Sequence, residues 1–326
     1  MKFREVLRQE IFPEKKFFEQ CHASTVLKVG ERLLCAWFAG TKESNDDVEI
    51  YLSVNDGEGW SDPRRMTFTE TPCWNPVLFE YENEILLFYK NGRRIPEWRT
   101  FIMRSSDGGE SWTEPAELVE GDVSGGRGPV KNKPILLSDG RIAAPSSVET
   151  KKAWDAFVDY SSDAGKTWQR SGLMGFDHKS ADGLGIIQPT LWQDGDKIYA
   201  LLRSSEGSIL KSSTSDGMNW SRCERTSLPN NNSGIDCVKL TNGKVFVVYN
   251  PISESWGNRN IIAYSVTDDN AQTFSEPVIL EEDKADGAEF SYPAVISDGE
   301  YVYITYTHYR RSVMFVKLEI IEDRQG

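Results

Sequence analysis

The strongest constraint on the fold of this chain is a turn motif that recurs at regular intervals. The motif is most complete as Ser-Ser-Asp-Gly-Gly-Glu-Ser-Trp over residues 105–112, and residues 161–168 repeat it with small changes. Its Ser and Asp side chains can hydrogen-bond backbone groups, its Gly admits a left-handed conformation, and its Trp can pack back onto the hairpin. Looser copies cover residues 53–60, 213–220 and 267–274.

The spacing of these turns predicts a β-propeller. The aromatic residues that close them lie 52, 56, 52 and 54 residues apart: Trp60, Trp112, Trp168, Trp220 and Phe274. Repeats of this length, each with several short strands, are typical of propellers. A second repeat, consisting of a strand, a short turn and another apolar strand, occurs six times. Asp-Gly or Asn-Gly stands in four of its six turns, as two-strand hairpins favour.

We therefore predict an all-β, six-bladed β-propeller with four antiparallel strands in each blade, formed by one domain that covers residues 1–326. Only five aromatic turns are present for six blades. This difference predicts that the N-terminal segment, around residues 3–12, closes the last blade. Such closure would remove the exposed strand edges that otherwise promote aggregation.

Composition limits the partners and the location that we expect. A net charge of −13 disfavours nucleic acid, because no basic patch is large enough to neutralise phosphates. The five cysteines are scattered and lack metal-ligand spacing, which indicates reduced thiols in a cytoplasmic protein. We expect no membrane partner, no metal and no cofactor, since no apolar run reaches the length of a membrane span and the three histidines are far apart in sequence. The oligomeric state is not predicted.

Propeller geometry indicates where a binding site would lie. The first strand of each blade lines the central axis, so the residues at its start should converge on one face of the ring. This set contains groups suited to binding a polar ligand: His22, Trp74, Asn75, Lys131, Lys133, Gln188, Ser233 and Tyr292.

The aromatic turns resemble the Asp boxes of the sialidase (neuraminidase) superfamily, and the six-blade spacing resembles the sialidase propeller over almost the whole chain. The resemblance implies a glycosidase with a tyrosine nucleophile, an exception to the usual pair of carboxylates. A glutamate would take the tyrosine proton, an aspartate would act as acid and base, and three arginines would hold the substrate carboxylate. Segments such as Trp74-Asn75-Pro76 make the chain similar to a divergent branch of predicted neuraminidases.

Several segments indicate which residues of this chain correspond to functional positions of the family. Phe290-Ser-Tyr-Pro293 is similar to the family's tyrosine segment, which makes Tyr292 the candidate nucleophile. Arg203 and Arg259 match the second and third arginines and could form a bidentate clamp for a carboxylate. The loop over residues 43–47 resembles the family's aspartate loop, with Asp46 favoured and Asp47 as the alternative acid.

Two positions depart from the family pattern. His22-Ala-Ser stands where the resemblance implies an Arg-Ile-Pro segment with the first arginine. Gln188 stands where it implies the glutamate, and an amide cannot accept the tyrosine proton. Glu289 is close to Tyr292 in sequence and is the candidate substitute base.

These observations lead to three hypotheses. The first is a hydrolase that removes a terminal acidic sugar, a sialic acid or a related uronate-type residue, from a glycan. Arg203, Arg259 and Lys131 or Lys133 would bind the carboxylate, while Asp46 or His22 would transfer protons. The second is a lyase that acts on a uronate by β-elimination. The third is a carbohydrate-binding propeller without catalysis.

Overall fold

Each blade is a four-stranded antiparallel sheet, and six such sheets form a ring in the computed structural model, which describes residues 1–321. Five blades use strands that are consecutive in the chain, whereas the sixth combines the first strand of the chain with the last three. The predicted fold class, strand number and antiparallel order are confirmed. The sheets are here numbered as blades I to VI, and their strands as β1 to β24 in chain order.

The strands are listed by blade, with the innermost strand first. Blades I to III consist of β2 (Gln20–Val29), β3 (Arg32–Gly40), β4 (Glu49–Asn55) and β5 (Arg64–Arg65); β6 (Cys73–Tyr81), β7 (Glu84–Asn91), β8 (Arg99–Ser105) and β9 (Ala116–Glu117); and β10 (Ile135–Leu136), β11 (Ile142–Glu149), β12 (Trp154–Ser161) and β13 (Gln169–Arg170). Blades IV to VI consist of β14 (Ile186–Asp194), β15 (Lys197–Ser204), β16 (Ser208–Thr214) and β17 (Glu224–Pro229); β18 (Asp236–Lys239), β19 (Val245–Tyr249), β20 (Ile261–Thr267) and β21 (Val278–Glu282); and β22 (Phe290–Ser297), β23 (Tyr301–His308), β24 (Ser312–Ile321) and β1 (Lys2–Glu10).

Helical structure is confined to one short segment of the described chain. A single 3₁₀ turn, Ile95–Glu97, lies between β7 and β8. Residues 1–321 contain no helix with the length and apolar character needed to cross a bilayer.

The ring is closed by pairing between the two ends of the chain. Strand β1 pairs antiparallel with β24 from Lys2↔Ile321 to Glu10↔Met314, with a bulge between Glu5 and Leu7. Phe3 on β1 also packs edge-on against Phe246 of blade V, with ring centroids 4.9 Å apart. The closure predicted for the N-terminal segment is therefore confirmed, and it satisfies the backbone groups that β24 would otherwise expose.

The second strand of each blade is buried on both faces because neighbouring blades pack against both sides of the sheet. Residues 34–39 of β3, 85–90 of β7 and 245–249 of β19 are buried without interruption. Such strands appear in the sequence as continuous apolar runs, whereas a half-exposed strand alternates between apolar and polar residues. The five cysteines all have free thiols, and Cys223 is the least buried.

Four of the five recurring turns, here called the aspartate turns, lie between the third and fourth strands of blades II to V. In each, a Ser or Thr hydroxyl at the end of the third strand donates to an aspartate two residues later, at 2.7–2.9 Å: Ser105–Asp107, Ser161–Asp163, Thr214–Asp216 and Thr267–Asp269. The aspartate then accepts backbone N–H groups, as Asp163 does from Lys166 and Thr167 at 3.1 and 2.8 Å. The closing Trp168 donates its indole N–H to the Gly165 carbonyl at 3.2 Å.

The aspartate turns also join neighbouring blades. Arg104 of blade II donates to the Gly165 carbonyl in the turn of blade III at 2.9 Å. Lys211 of blade IV donates to the Ala271 carbonyl in the turn of blade V at 3.2 Å. Turn carbonyls thus become acceptors for cations of the preceding blade, which links the local motif to the packing of the ring.

We predict that acid weakens the fold through these turns. Hydrogen bonds from Thr167 lower the pKa of Asp163 to about 2. A carboxyl whose pKa is depressed in the folded state stabilises the protein above its unfolded pKa and loses this effect as the pH falls through the folded value. We expect the melting temperature of the wild type to fall between about pH 4 and about pH 2, with a smaller dependence in Asp163→Asn.

The measurement is thermal unfolding at several pH values for both proteins. Asp196→Asn, at an exposed hairpin position, serves as the control and should follow the wild type. Parallel curves for Asp163→Asn and wild type would contradict the prediction.

Candidate functional site

Six non-glycine residues, one per blade, have left-handed backbone where the chain enters the innermost strands. Their φ angles lie between 45° and 66°: Ala23, Asn75, Lys131, Gln188, Asn232 and Tyr292. In blades I, II, IV and VI the residue belongs to a β-bulge, where the inner strand carries one more residue than its partner. Left-handed non-glycine residues cost about 1–3 kcal/mol each and cluster at functional sites, and bulges redirect side chains.

Three of these six side chains converge on one arginine. Arg203, near the end of β15, donates from Nη1 to the Tyr292 hydroxyl at 2.5 Å and to Gln188 Oε1 at 3.1 Å. Its Nε donates to Asn232 Oδ1 at 2.9 Å. Arg203 is only 4% exposed, and it makes no ion pair within residues 1–321. The site therefore contains a buried guanidinium whose direct partners are all neutral.

Tyr292 lies at the centre of the group of cations. The Cζ atoms of Arg203 and Arg259 are each 5.5 Å from the centroid of its ring. The imidazole of His22 lies against the same ring, with centroids 4.1 Å apart. The structure thus brings together four residues that the sequence placed far apart: His22, Arg203, Arg259 and Tyr292.

His22 is held neutral by its surroundings. Burial, followed by the charges of Arg310 and Arg259, lowers its pKa well below the ordinary histidine value. Its Nδ1 lies 2.8 Å from the Thr307 hydroxyl, and its Nε2 lies 3.4 Å from Nη2 of Arg310. This arrangement suits an imidazole that accepts from Arg310 and donates to Thr307. His22 thus orients its neighbours, and proton transfer remains the role that the sequence predicted for it.

Arg310 is a site residue that sequence reasoning missed. It lies in the turn between β23 and β24, where Tyr309 and Arg310 both have positive φ, 52° and 57°. Turns of this kind favour Asn-Gly, so no sequence signal marked this segment as a tight turn. The turn carries the guanidinium back to His22, the position where the resemblance implied the first arginine.

Glu289 joins two of the arginines. Its carboxylate pairs with Arg310 Nε at 2.8 Å and with Arg259 Nη1 at 3.3 Å, and it accepts from the Ser291 hydroxyl at 2.7 Å. Burial opposes its charge, but Arg310 and Arg259 together lower the pKa of Glu289 below the ordinary glutamate value. A carboxylate held in this way positions arginines and is a weak proton acceptor.

The two predicted lysines, Lys131 and Lys133, are bonded to groups of the inner strands. Lys131 donates to the carbonyls of Ile235, at 2.8 Å, and of Pro293. Burial lowers the pKa of Lys131 to about 7, although the charge of Asp236 opposes this shift. Lys133 is ion-paired with Asp236 at 2.9 Å. Both lysines have protein partners, so they tie the inner strands together.

The blade II residues differ in their availability to a ligand. Trp74 donates its indole N–H to the Gly92 carbonyl at 2.9 Å and packs against Phe38 and Trp98. Asn75 is 4% exposed, and its amide makes no hydrogen bond among residues 1–321. Asn75 is therefore the better placed of the two to hydrogen-bond a ligand.

The predicted aspartate loop is docked to the site through Glu43. The Glu43 carboxylate pairs with Arg310, and its backbone N–H donates to Gln20 Oε1 at 3.1 Å. Asp46 is exposed and pairs with Arg93 at 2.8 Å. Asp47 accepts from the backbone N–H and the hydroxyl of Thr41, each at 2.9 Å. The loop that carries both candidate acids is thus anchored to a cation of the site.

One group of described residues has the composition of a cation site. Ligand atoms of Glu10, Glu14 and His308 lie within 4.8 Å of one another. The two ring nitrogens of His308 are paired with Glu10 at 3.3 Å and with Glu281 at 3.2 Å. We interpret this group as an ion-pair network.

A ring of six four-stranded antiparallel blades is the architecture of the sialidase-like propellers. The model of the BNR repeat-like domain family matches residues 31–304, and the chain belongs to this family. The comparison with curated proteins returned no match.

Solved structures share the fold at low sequence identity. A protein of unknown function from Dyadobacter fermentans DSM 18053 is 16% identical, with a TM-score of 0.76 over 98% of this chain and 99% of that chain. The Hadza microbial sialidase Hz136 is 14% identical, with a TM-score of 0.79 over 96% of this chain and 68% of the other. Trypanosoma rangeli sialidase is 14% identical, with a TM-score of 0.74 over 95% of this chain and 59% of that enzyme.

We predict that Gly234 is required for the position of Tyr292. A Cβ atom at Gly234 would lie 3.0 Å from Cε of Lys131 and 3.3 Å from the Tyr292 ring. Gly234→Ala should therefore displace one of them and reduce the free energy of unfolding by about 1–3 kcal/mol. Chemical denaturation measures this change, with Ser227→Ala on the exposed side of β17 as the control. Unchanged stability would show that the two side chains have room to move.

Proposed function

We propose that this protein is a glycoside hydrolase that removes a terminal acidic sugar, a sialic acid or a related uronate-type residue, from a glycan. The observation that carries the proposal is the buried guanidinium of Arg203, which has neutral direct partners and no ion pair within residues 1–321. A buried charge without a counter-ion is costly. A carboxylate bound at this point would offset that cost.

The arrangement of the arginines suits a carboxylate. Arg203 and Arg259 both lie near the Tyr292 ring, and the Cζ atom of each is 5.5 Å from its centroid. Guanidinium groups bind carboxylates through paired, directional hydrogen bonds, which fix orientation as well as charge. A sugar held by its carboxylate would thus present its neighbouring ring carbon to the tyrosine.

Tyr292 is the proposed nucleophile. When the anomeric carbon carries a carboxylate, a neutral nucleophile approaches it with less repulsion than a carboxylate would. The tyrosine oxygen would form a bond to the anomeric carbon as the glycosidic bond breaks, and water would then release the sugar. Asp46 or Asp47, on the loop anchored by Glu43, would protonate the leaving oxygen and later accept a proton from water.

The comparisons support the substrate class only through the fold. Trypanosoma rangeli sialidase, which has been solved in complex with sialic acid, is 15% identical to this chain in that complex, with a TM-score of 0.68. A shared propeller places the axis mouth in the same part of the architecture. The choice of an acidic sugar for this chain depends on its own arginines.

A second candidate reaction is β-elimination at a uronate. The observation that favours it is that the Tyr292 hydroxyl contacts Arg203 and no carboxylate among the described residues. A tyrosine beside an arginine can remove the proton α to a carboxylate, while the arginines stabilise the developing negative charge. The bond to the leaving oxygen then breaks, the proton that Tyr292 removed passes to that oxygen, and a carbon–carbon double bond forms in the sugar.

We expect the wild type to release the aryl group from an aryl α-sialoside or an aryl uronide, and Tyr292→Phe to lower kcat by about 100-fold or more. A uronate-containing oligosaccharide should be followed both for reducing ends and for near-ultraviolet absorbance. Absorbance without hydrolysis would identify the elimination reaction. Sugar binding without turnover, unchanged in Tyr292→Phe, would contradict both reactions and indicate a binding propeller.

We also expect Arg310 to contribute to the binding of acidic sugars. Arg310→Met should weaken the affinity for a free acidic sugar by about 10- to 100-fold, because a hydrogen bond to a charged group is worth about 1.5–3 kcal/mol. Calorimetry with the acidic sugar and with its uncharged alcohol analogue isolates this effect. Arg94→Met, an exposed arginine on the same face that pairs with Glu97, is the matched control. Equal losses for the charged and uncharged ligands would contradict a role in carboxylate binding.

A further inference from the structure

Glu149 is a carboxylate at the site that the mechanism above does not use. It is the last residue of β11, in blade III, and β11 packs beside β14 of blade IV. Two residues earlier on the same strand, the Ser147 hydroxyl accepts the backbone N–H of Gln188 at 3.3 Å. Side chains two residues apart on a strand share a face, so Glu149 points to the same side as Ser147, toward Gln188.

Its cross-strand neighbour gives a second, independent indication of the same direction. Glu149 pairs with Trp154 in the register of β11 and β12, and directly paired residues lie on one face of an antiparallel sheet. The Trp154 ring lies 6.0 Å from Cζ of Arg203. Glu149 and Trp154 therefore share the face of blade III that looks onto Arg203.

The carboxylate of Glu149 has no direct partner in the described chain. No hydrogen bond or ion pair within residues 1–321 involves its side chain. Burial raises its pKa above the ordinary glutamate value, and the charge of Arg203 opposes this shift only in part. A buried carboxylate without partners costs stability, which sets Glu149 apart from the ion-paired Glu289.

We infer that Glu149 is the catalytic base that accepts the proton of Tyr292, in place of the glutamate absent at Gln188. The inference rests on the proposed function and names the group that the proposed reaction lacks. Gln188 and Tyr292 are both bonded to Nη1 of Arg203, and Glu149 approaches that guanidinium from the neighbouring blade. The proposed base thus stands on β11, which packs beside the β14 strand that carries Gln188.

The proton balance of the reaction is then complete. As the Tyr292 oxygen bonds to the anomeric carbon, its proton passes to the Glu149 carboxylate, directly or through one water. The glycosidic bond breaks, and the leaving oxygen takes a proton from the aspartate loop. In the second step water attacks the anomeric carbon and gives its proton to the same aspartate. The bond to Tyr292 breaks, and Glu149 returns the proton to the tyrosine oxygen.

The decisive experiment removes the carboxylate at position 149 and then introduces one at position 188. Glu149→Gln, which keeps the shape of the side chain, should lower kcat on the acidic glycoside by about 100- to 10,000-fold with little change in KM. Adding Gln188→Glu to this variant should recover at least about tenfold of the lost rate, because it places a carboxylate beside Tyr292 and Arg203. The kcat of Glu149→Asp should lie between those of Glu149→Gln and the wild type. Glu80→Gln, on the inner strand of blade II, should have the kcat of the wild type.

The outcomes separate this inference from the proposed function. A wild type that neither hydrolyses nor eliminates any acidic substrate would overturn both. An active wild type with an equally active Glu149→Gln would overturn the role of Glu149 alone. Loss of acidic-sugar binding in calorimetry, or loss of rate without rescue by Gln188→Glu, would also overturn it, because either result assigns Glu149 a structural role. Melting temperatures of all variants verify that they are folded.

Discussion

The site depends on one buried guanidinium. Arg203 binds side chains from the inner-strand entries of three blades, IV, V and VI, through Gln188, Asn232 and Tyr292. All three partners have left-handed backbone, so the strain at these positions is offset by their shared bonds to one cation. Every direct hydrogen-bond partner of Arg203 is neutral, and Arg203 forms no ion pair within residues 1–321. The same interaction that fixes the inner strands therefore leaves a cation available to an anionic ligand.

Two charges absent from their expected positions are supplied by neighbouring strands. His22 stands where the family resemblance implied an arginine, and Arg310 brings a guanidinium to within 3.4 Å of its ring nitrogen from the turn before β24. Gln188 stands where the resemblance implied a glutamate. Glu149, at the end of β11, faces Arg203, the arginine that Gln188 contacts. In a propeller, the innermost strand of each blade begins at the face of the ring where the second strand ends. Such exchanges between adjacent strands therefore preserve the charge at a point in space while changing the sequence pattern.

The sequence predicts the fold better than the site. Trp112 and Asp107 mark a turn because their chemistry is local: the hydroxyl of Ser105, the carboxylate and the backbone N–H groups lie within eight residues. The sequence predicts Tyr292, Arg203 and Arg259 as site residues because the short segments around them resemble segments of the sialidase family. Arg310 could not be recognised in this way, because its turn has neither Gly nor Asn and its partners, Glu43 and Glu289, are 267 and 21 residues away. A contact between strands that are distant in sequence leaves no periodic signal.

The choice between hydrolysis and elimination turns on which atom loses a proton, since both reactions can use the same cations. In hydrolysis the tyrosine must lose its proton as its oxygen bonds to carbon, so a separate acceptor beside Arg203 is required. In elimination the tyrosine oxygen is itself the proton acceptor. The Arg203–Tyr292 contact at 2.5 Å is compatible with either reaction. A carboxylate directed at the Arg203–Tyr292 contact is needed as a proton acceptor only in hydrolysis. The position of Glu149 therefore favours hydrolysis.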